Sequence, residues 1–288
     1  MRTGFVAALA LLAFTAPLAA QSAPSPDASA RELFGHVAKP APLAARSIGY
    51  YIRGCLAGAV ALPVDGKTWQ VMRLSRNRNW GHPKLVQFLE RFAARVPKLA
   101  NWPGILVGDL AQPRGGPMLT GHLSHQVGLD ADIWLTPMPA RTLSREEREE
   151  MSAINMVAED WSDIDPKAWT PAHLKVIKSA AEDPLIERVL VNAAIKKALC
   201  REAGSDRAWL HKVRPWYGHN WHMHVRIGCP ADSKDCKAQP SVPAGDGCGS
   251  ELAWWFTEKA RRPIPKGPQR IMKLSELPPA CRQVLVAP

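Results

Sequence analysis

Two stretches of this sequence place imidazole and carboxylate side chains at spacings that suit a metal ion. His125 precedes Asp132 by seven residues, and a later H-x-H pair consists of His222 and His224. Imidazole nitrogen and carboxylate oxygen are the ligands that hold a catalytic zinc with one coordination position left open. The types and spacing of these residues therefore predict a metal site of that kind.

The H-x-H pair lies in a run, residues 221–227, in which polar and apolar side chains alternate as they do in a strand. The alternation puts His222, His224 and Arg226 on one face, while the apolar residues between them occupy the other. Since the apolar face should pack against the core, we expect the imidazole side chains to line a cleft on the opposite face.

A second alternating run covers residues 129–135 and has Asp132 on its polar face. The loop before this run carries His125 among glycines, so it can fold back over the strand. If the two runs pair, the side chains of His125, Asp132 and His224 converge on one point. Two histidines and one carboxylate at that point suit Zn²⁺.

The remaining segments alternate between helical and strand-like patterns, which predicts an α+β fold. A small antiparallel sheet carries the zinc site in this fold, and helices and disulfide-stapled loops flank the sheet. Short apolar runs at 69–74 and 105–110 supply further strands. Apolar spacing and capping residues also predict five helices. They run from Pro83 to Val96, from Ser144 through Val157, from Thr170 onwards, from Pro184 to about Cys200, and from Ser250 to Trp255.

The N-terminal residues have the pattern of an export signal. The chain begins with a positive residue, Arg2, and continues with an apolar stretch that ends in two alanines. Because such a stretch is too short to span a membrane, we expect residues 1–20 to be a cleaved signal peptide. Residues 21–45, rich in Ala, Pro and Ser, are predicted to form a flexible arm, and residues 46–288 to form the working domain. No later apolar run approaches the length of a membrane span.

The chain carries a formal net charge of +11. A surplus of cations steers anionic partners towards a protein, although it says little about chemistry. Nucleic acid is one such partner, but an anionic polymer of the cell envelope fits an exported protein better.

The sequence contains six cysteines, and an even number in an exported chain favours disulfides. Six thiols can pair in many ways, and sequence alone does not choose among them. A Cys-rich zinc site is the alternative, but no C-x2-C pair occurs. The nearest neighbours, Cys229 and Cys236, are close enough to close a small loop. The six residues are Cys55, Cys200, Cys229, Cys236, Cys248 and Cys281.

The two histidine-rich stretches resemble those of the penicillin-insensitive murein endopeptidases. They read G-H-L-S-H-Q-V-G-L-D-A-D-I-W at 121–134 and W-Y-G-H-N-W-H-M-H-V-R at 216–226. This family belongs to the metallopeptidase group named after lysostaphin, D-Ala-D-Ala peptidases and sonic hedgehog. The likeness extends through residues 47–50, 76–83 and 109–110 and through the six-cysteine layout.

The resemblance implies roles for four histidines of the two stretches and identifies 46–288 as a metallopeptidase domain. His125, Asp132 and His224 are the implied ligands of one catalytic zinc. His222 is the implied general base and acid, and His219 is the group that steadies the oxyanion.

The family also has a second metal position in some settings, which makes a second zinc an option here. His122 and the acidic residues Asp160 and Asp163 match its ligands only loosely. The alternative interpretation of this acidic patch is a salt-linked surface turn.

The resemblance further implies a periplasmic zinc endopeptidase that cuts crosslinks between peptidoglycan stem peptides. Its expected target is the D-alanyl–meso-diaminopimelate bond, with some tolerance for diaminopimelate–diaminopimelate links. Beta-lactams should not inhibit it, because there is no serine to acylate. Two alternatives stay open, a D-Ala-D-Ala carboxypeptidase and a wall-binding module with a structural zinc. No nucleic-acid partner and no transmembrane segment are expected, while the oligomeric state is left open.

Four arginines near these motifs, Arg76, Arg78, Arg114 and Arg226, could bind the carboxylates of a stem peptide. A guanidinium fork matches the geometry of a carboxylate. A structural salt bridge is the alternative for each of them.

Overall fold

The computed structural model of this protein describes residues 24–262 and 270–288. The predicted signal peptide, residues 1–20, lies outside these ranges. Within them, no helix combines the length and the apolar character that crossing a lipid bilayer requires.

Eleven strands occur in the described part of the chain, and seven of them form one central sheet. In chain order they are β1 (Arg46–Tyr50), β2 (Arg53–Ala57), β3 (Val60–Ala61), β4 (Asp65–Gly66), β5 (Trp69–Val71), β6 (Trp80–Gly81), β7 (Ile105–Val107), β8 (Asp130–Pro137), β9 (Ile186–Val191), β10 (Val213–Pro215) and β11 (His222–Ile227). The central sheet has the order β10-β9-β11-β8-β7-β5-β4. β1 pairs with β2, and β3 with β6, in two separate antiparallel sheets.

Eight α-helices accompany these strands within the described ranges. They are α1 (Ala30–Gly35), α2 (Pro83–Ala100), α3 (Arg145–Glu150), α4 (Pro171–Ala181), α5 (Ala193–Glu202), α6 (Ser250–Trp254), α7 (Glu258–Arg261) and α8 (Ala280–Val286). α2 confirms the helix predicted from Pro83, a residue that suits the first turn. Nδ1 of His82 accepts a hydrogen bond from the backbone N–H of Lys84 and so caps the helix.

The central sheet is larger than the small antiparallel sheet that the sequence predicts, and it is mixed. β9 and β10 run parallel, as do β5 and β7. Parallel neighbours require a crossover connection. α5 lies between β9 and β10 in the chain, and α2 lies between β5 and β7. The expected antiparallel pairing is present where β8 meets β11.

The prediction of a helix from Pro184 to about Cys200 is wrong in its first half. Residues 186–191 form β9, and within the predicted range the only helix is α5, which begins at Ala193. Three β-branched residues in I-E-R-V-L-V favour a strand. Asn192 then opens α5, since its side chain accepts a hydrogen bond from the backbone N–H of Ala194.

The helix predicted from Ser144 through Val157 begins as expected but ends at Glu150. Ser144 and Glu147 form the predicted capping box. The guanidinium of Arg73 donates to the backbone carbonyls of Arg148, Glu149 and Met151. Because these carbonyls of the last turn are satisfied by a side chain, the chain is free to leave the helix there.

Residues 24–45 are held against the domain, although the sequence predicts a flexible arm. Phe34 of α1 is completely buried and belongs to a second hydrophobic cluster with Ile48 and with Val284 of α8. The backbone N–H of Ala30 also donates to the carbonyl of Met272 at 2.9 Å. Burial of one phenylalanine ring contributes roughly 2 kcal/mol, which helps to offset the cost of ordering the segment.

All six cysteines form disulfides, so the alternative of a Cys-rich zinc site is wrong. Cys229 pairs with Cys236 and closes the expected small loop. The other two bridges join distant parts of the chain, Cys55 to Cys281 and Cys200 to Cys248.

Candidate metal centre

The pairing of β8 with β11 brings Asp132 and His224 together on one face of the sheet. The two residues are register partners. Nδ1 of His224 lies 3.1 Å from Oδ1 of Asp132, and both side chains are almost completely buried. Met223 and Val225, which point to the opposite face, belong to the main hydrophobic core, as the alternation predicts.

The loop before β8 folds back and places His125 beside this pair. His125 is fully buried, its Nε2 lies 3.5 Å from Oδ1 of Asp132, and its ring centroid lies 4.7 Å from that of His224. The backbone of His125 is left-handed, with φ +67°. A non-glycine residue in that region costs of order 1–3 kcal/mol, and such strain tends to occur at functional sites.

His122 joins the same cluster from the start of the loop. Its Nε2 lies 3.3 Å from Oδ2 of Asp132 and 3.2 Å from Oδ2 of Asp109. In the described residues, His122, His125 and Asp132 form a group whose ligand atoms lie within 4.8 Å of one another. This group has the composition of a metal site.

Unpartnered buried atoms at this cluster fit a cation. Among the described residues, neither ring nitrogen of His125 has a hydrogen-bond partner, and the same is true of Oδ1 of Asp132. Buried polar atoms without partners are costly and rare. An ion bound by Nε2 of His125 and Oδ1 of Asp132 would satisfy two of these three atoms, and imidazole nitrogen with carboxylate oxygen suits zinc.

Asp160 and Asp163, the acidic residues that loosely match a second metal position, contact groups outside the cluster. Asp163 forms ion pairs with Arg201 at 2.9 Å and with Lys197 at 3.2 Å, both on α5. The carboxylate of Asp160 accepts a hydrogen bond from the backbone N–H of Ser162. These contacts are those of a salt-linked surface turn, whereas His122 contacts the main cluster.

Asp130 fixes the orientation of His224. Its Oδ1 lies 2.7 Å from Nε2 of His224 and 2.6 Å from Nε of Arg226. Burial acts to raise the pKa of Asp130, but Arg226 and His224 outweigh it and hold this pKa well below its usual range. The carboxylate is therefore ionised and accepts a hydrogen bond from Nε2–H of His224. Nδ1 of His224 is then the nitrogen that faces Asp132.

His222 and His219 lie beside the cluster with their rings 4.8 Å apart. Nε2 of His222 lies 3.6 Å from Oδ1 of Asp132. Burial lowers the pKa of His222 and lowers that of His219 to about 3, so both rings are neutral near pH 7. Nδ1 of His219 lies 2.7 Å from the carbonyl oxygen of Tyr217. That nitrogen must donate, which leaves Nε2 of the neutral ring as an acceptor.

Two cavities border the cluster, and both have His122 in their lining. One, of about 370 Å³, is lined by His222, Asp132, Arg76 and Trp221 among others. The other, of about 670 Å³, includes His219 and His224 in its lining. An extended ligand that passes over the cluster can therefore have parts in both cavities.

One protein family matches residues 47–286 of this chain, and it is described as the penicillin-insensitive murein endopeptidases. The chain belongs to this family. A penicillin-insensitive murein endopeptidase of Haemophilus influenzae is 47% identical over 247 residues, which cover 85% of this chain and 84% of that protein. Proteins of the same name from Citrobacter koseri and Pectobacterium atrosepticum are 41% and 43% identical over 99% and 86% of this chain, and over 98% and 87% of their own lengths.

Membership of the murein endopeptidase family confirms the resemblance that the two histidine-rich stretches indicate. All four arginines predicted near the site have structural partners. Arg78 donates to Asp109 at 2.9 Å, Arg226 to Asp130, and Arg114 to backbone carbonyls near the C-terminus. Arg76 also pairs with Asp109, but its side chain is half exposed and lines the smaller cavity.

Two other arginines near the site, Arg188 on β9 and Arg214 on β10, were missed by the sequence reasoning. Both line the larger cavity. The helix predicted from Pro184 covers Arg188, and this prediction hides the fact that the residue shares a sheet face with His224. The β-branched residues around it were the signal that could have revealed this strand.

Proposed function

We propose that this protein is a zinc-dependent peptidase that hydrolyses peptide crosslinks between peptidoglycan stem peptides. The observation that supports this most strongly is the buried cluster of His125, Asp132 and His224, in which the ring nitrogens of His125 and Oδ1 of Asp132 have no hydrogen-bond partner among the described residues. Family membership supports the substrate, since the relatives are named murein endopeptidases.

The residues of the cluster and their neighbours have three kinds of task in the proposed reaction: holding the metal, orienting a ligand and transferring protons. His125, Asp132 and His224 would hold one zinc, and Asp130 would keep His224 in the required tautomer. Zinc in this position supplies a Lewis acid that polarises the scissile carbonyl and acidifies the attacking water. His122 provides a further nitrogen beside Asp132.

His222 is the proposed general base and acid. Because its ring is neutral near pH 7, it can take the proton of the attacking water and return it to the leaving amine. His219 is assigned to the oxyanion. This role requires Nε2 to take up a proton from solvent as the negative charge develops, because the Nδ1 proton is already donated to the carbonyl of Tyr217.

Two separate cavities that border the cluster favour an endopeptidase over a carboxypeptidase. A crosslink between two stem peptides continues beyond the scissile bond in both directions and needs space on each side. The proposed target is the D-alanyl–meso-diaminopimelate bond, with tolerance for diaminopimelate–diaminopimelate links. No serine is acylated in this reaction, so we expect β-lactams to leave it unaffected.

The proposed location is the periplasm. Three disulfides suit an oxidising compartment outside the cytosol, and residues 1–20 have the pattern of an export signal. The positive charge of the chain suits the anionic envelope.

Digestion of purified crosslinked muropeptide dimers tests this proposal. We expect monomers to appear at the same rate with and without penicillin, to stop appearing with a chelator, and to return when zinc is added. Metal analysis of the same sample distinguishes one bound ion from two. Activity that survives complete removal of zinc would contradict the proposal.

Two further outcomes distinguish the alternatives. Trimming of uncrosslinked pentapeptides with dimers left intact would indicate a carboxypeptidase. A His222→Ala variant that binds zinc should lose hydrolysis by at least about 100-fold, the lower range for general acid–base catalysis. If that variant behaves as the parent does in every wall assay, the protein is a wall-binding module with a structural zinc and not an enzyme.

A further inference from the structure

Three arginines from adjacent strands lie on the sheet face that carries the metal centre. His224 on β11 is the register partner of Leu190 on β9, and Leu190 is the register partner of Arg214 on β10. Register partners share a face, so Arg214 lies on the same face as His224, two strands away. Arg188 on β9 is the register partner of Arg226 on β11. All three arginines line the larger cavity.

The charges of this group are not balanced within the described part of the protein. Arg226 pairs with Asp130, and Arg214 pairs with Glu251. Arg188 makes no ion pair with a carboxylate of the described residues, and its Nη2 donates to the carbonyl of Pro240 at 2.8 Å. Like charges placed directly opposite each other destabilise a sheet. Because Arg226 and Arg214 have carboxylate partners, Arg188 is the positive charge of the three that lacks an ion pair among the described residues.

Two donor atoms of this group lack a hydrogen-bond partner. Nε of Arg188 and Nη1 of Arg214 are buried and have no hydrogen-bond partner among the described residues. Arg214 is only 7% exposed, so water offers little compensation. A carboxylate is the group that guanidinium N–H donors match best, because two parallel hydrogen bonds can form.

We propose that Arg188 and Arg214 form a subsite that binds a free carboxylate of the substrate on the His219 side of the scissile bond. This inference rests on the proposed function, whose stem peptides carry several carboxylates. Neighbouring strands are ~4.8 Å apart, so the backbone of Arg214 lies ~10 Å from that of His224. An extended peptide covers this distance with about three residues. The subsite therefore selects substrates whose carboxylates are not amidated.

Binding measurements test the subsite without requiring hydrolysis. The probes are a stem tetrapeptide with free carboxylates and its fully amidated counterpart, titrated into the zinc-loaded protein by calorimetry. Arg188→Gln should raise the Kd of the free form ~10-fold and leave that of the amidated form unchanged. Arg91→Gln, which removes one positive charge from the exposed face of α2, is the matched control and should change neither value.

A second variant gives a change of opposite sign. Glu251→Gln removes the anion that pairs with Arg214 and should tighten the free tetrapeptide ~3-fold, since Arg214 then has a net charge to offer. For crosslinked dimers, KM should rise in Arg188→Gln and fall in Glu251→Gln. The kcat of Arg188→Gln should stay within about two-fold of the parent.

The possible failures are distinguishable. If Arg188→Gln keeps the full preference for free over amidated peptide, the subsite is overturned even when dimers are still cleaved. If the wild-type protein cleaves no dimer yet shows a preference for free carboxylates that Arg188→Gln abolishes, the subsite stands and the proposed hydrolysis fails.

Discussion

Nδ1 of His224 lies 3.1 Å from Oδ1 of Asp132, directly across the β8–β11 ladder. Two adjacent backbone strands therefore hold this pair, and the hydrogen bonds between the strands limit its movement. His125 reaches the same point from a loop with left-handed backbone. A cluster built in this way is organised before any ion or substrate arrives, which favours tight binding.

Removal of a ligand should release the metal. His125→Ala deletes a fully buried imidazole of the cluster, and we expect zinc affinity to fall by more than about 100-fold, beyond the range for a group that only supports a ligand. Competition with a chelating dye measures this affinity. His211→Ala is the control, because His211 lies outside the cluster, in the 3₁₀ turn 208–212. Equal zinc content in both variants would refute the assignment of His125.

Loss of the Asp130 carboxylate should weaken both the metal site and the fold. Asp130→Asn leaves Arg226 buried without its anion, and breaking a buried pair costs about 3–5 kcal/mol. Zinc affinity should fall about 10–100-fold as His224 loses its orientation. Urea unfolding and metal titration measure the two effects. Asp206→Asn, which breaks an exposed pair with Lys178, should change stability by about 0.5 kcal/mol at most.

His173 should make stability depend on pH below neutrality. Its ring is buried and stacks on Trp169, Nε2 lies 3.1 Å from the carbonyl of Leu135, and Nδ1 lies 3.0 Å from the backbone nitrogen of Thr170. Nδ1 must accept from that N–H, which requires the neutral ring. Burial lowers the pKa of His173 below its ordinary value.

The sign of this pH effect follows from the lowered pKa of His173. Above pH ~6.5 the ring is neutral in both states, so its contribution to stability is fully present. As the pH falls below that value, the unfolded chain takes up a proton before the folded one does. The free energy of unfolding then falls by up to about 1.4 kcal/mol per pH unit, until the pKa of the folded state is reached. In urea unfolding at pH 8, 6.5 and 5.5, His173→Gln should show a shallower loss than the parent. Identical slopes would show that His173 takes up its proton as readily in the folded protein as in the unfolded chain.

The disulfides should differ in their contribution to stability. Cys55 and Cys281 are 226 residues apart, whereas Cys229 and Cys236 are 7 apart. Loop-closure entropy makes the longer bridge worth about 5 kcal/mol and the shorter about 2 kcal/mol. Replacement of each pair by alanines, followed by denaturant unfolding, should therefore show the larger loss for Cys55 and Cys281. The opposite order would mean that strain in the folded state outweighs this entropy.

The sequence by itself determined which side chains could meet at the candidate metal centre. Alternation with period two puts His222 and His224 on one face of a strand, and Asp132 on the polar face of another, wherever the strands lie. A capping box and an N-terminal proline likewise predicted where α3 and α2 begin. These signals are local, because they depend on residues within one turn or one strand, and they survive folding unchanged.

Only the tertiary structure decided what surrounds that centre. The insertion of β9 between β10 and β11 brings Arg188 and Arg214 to the face of His224, and the same packing gives Asp130 its two partners. The choice of disulfide partners and the docking of α1 against α8 are of the same kind. Each of them joins residues far apart in the chain, and a local pattern carries no record of which distant surface will bury it.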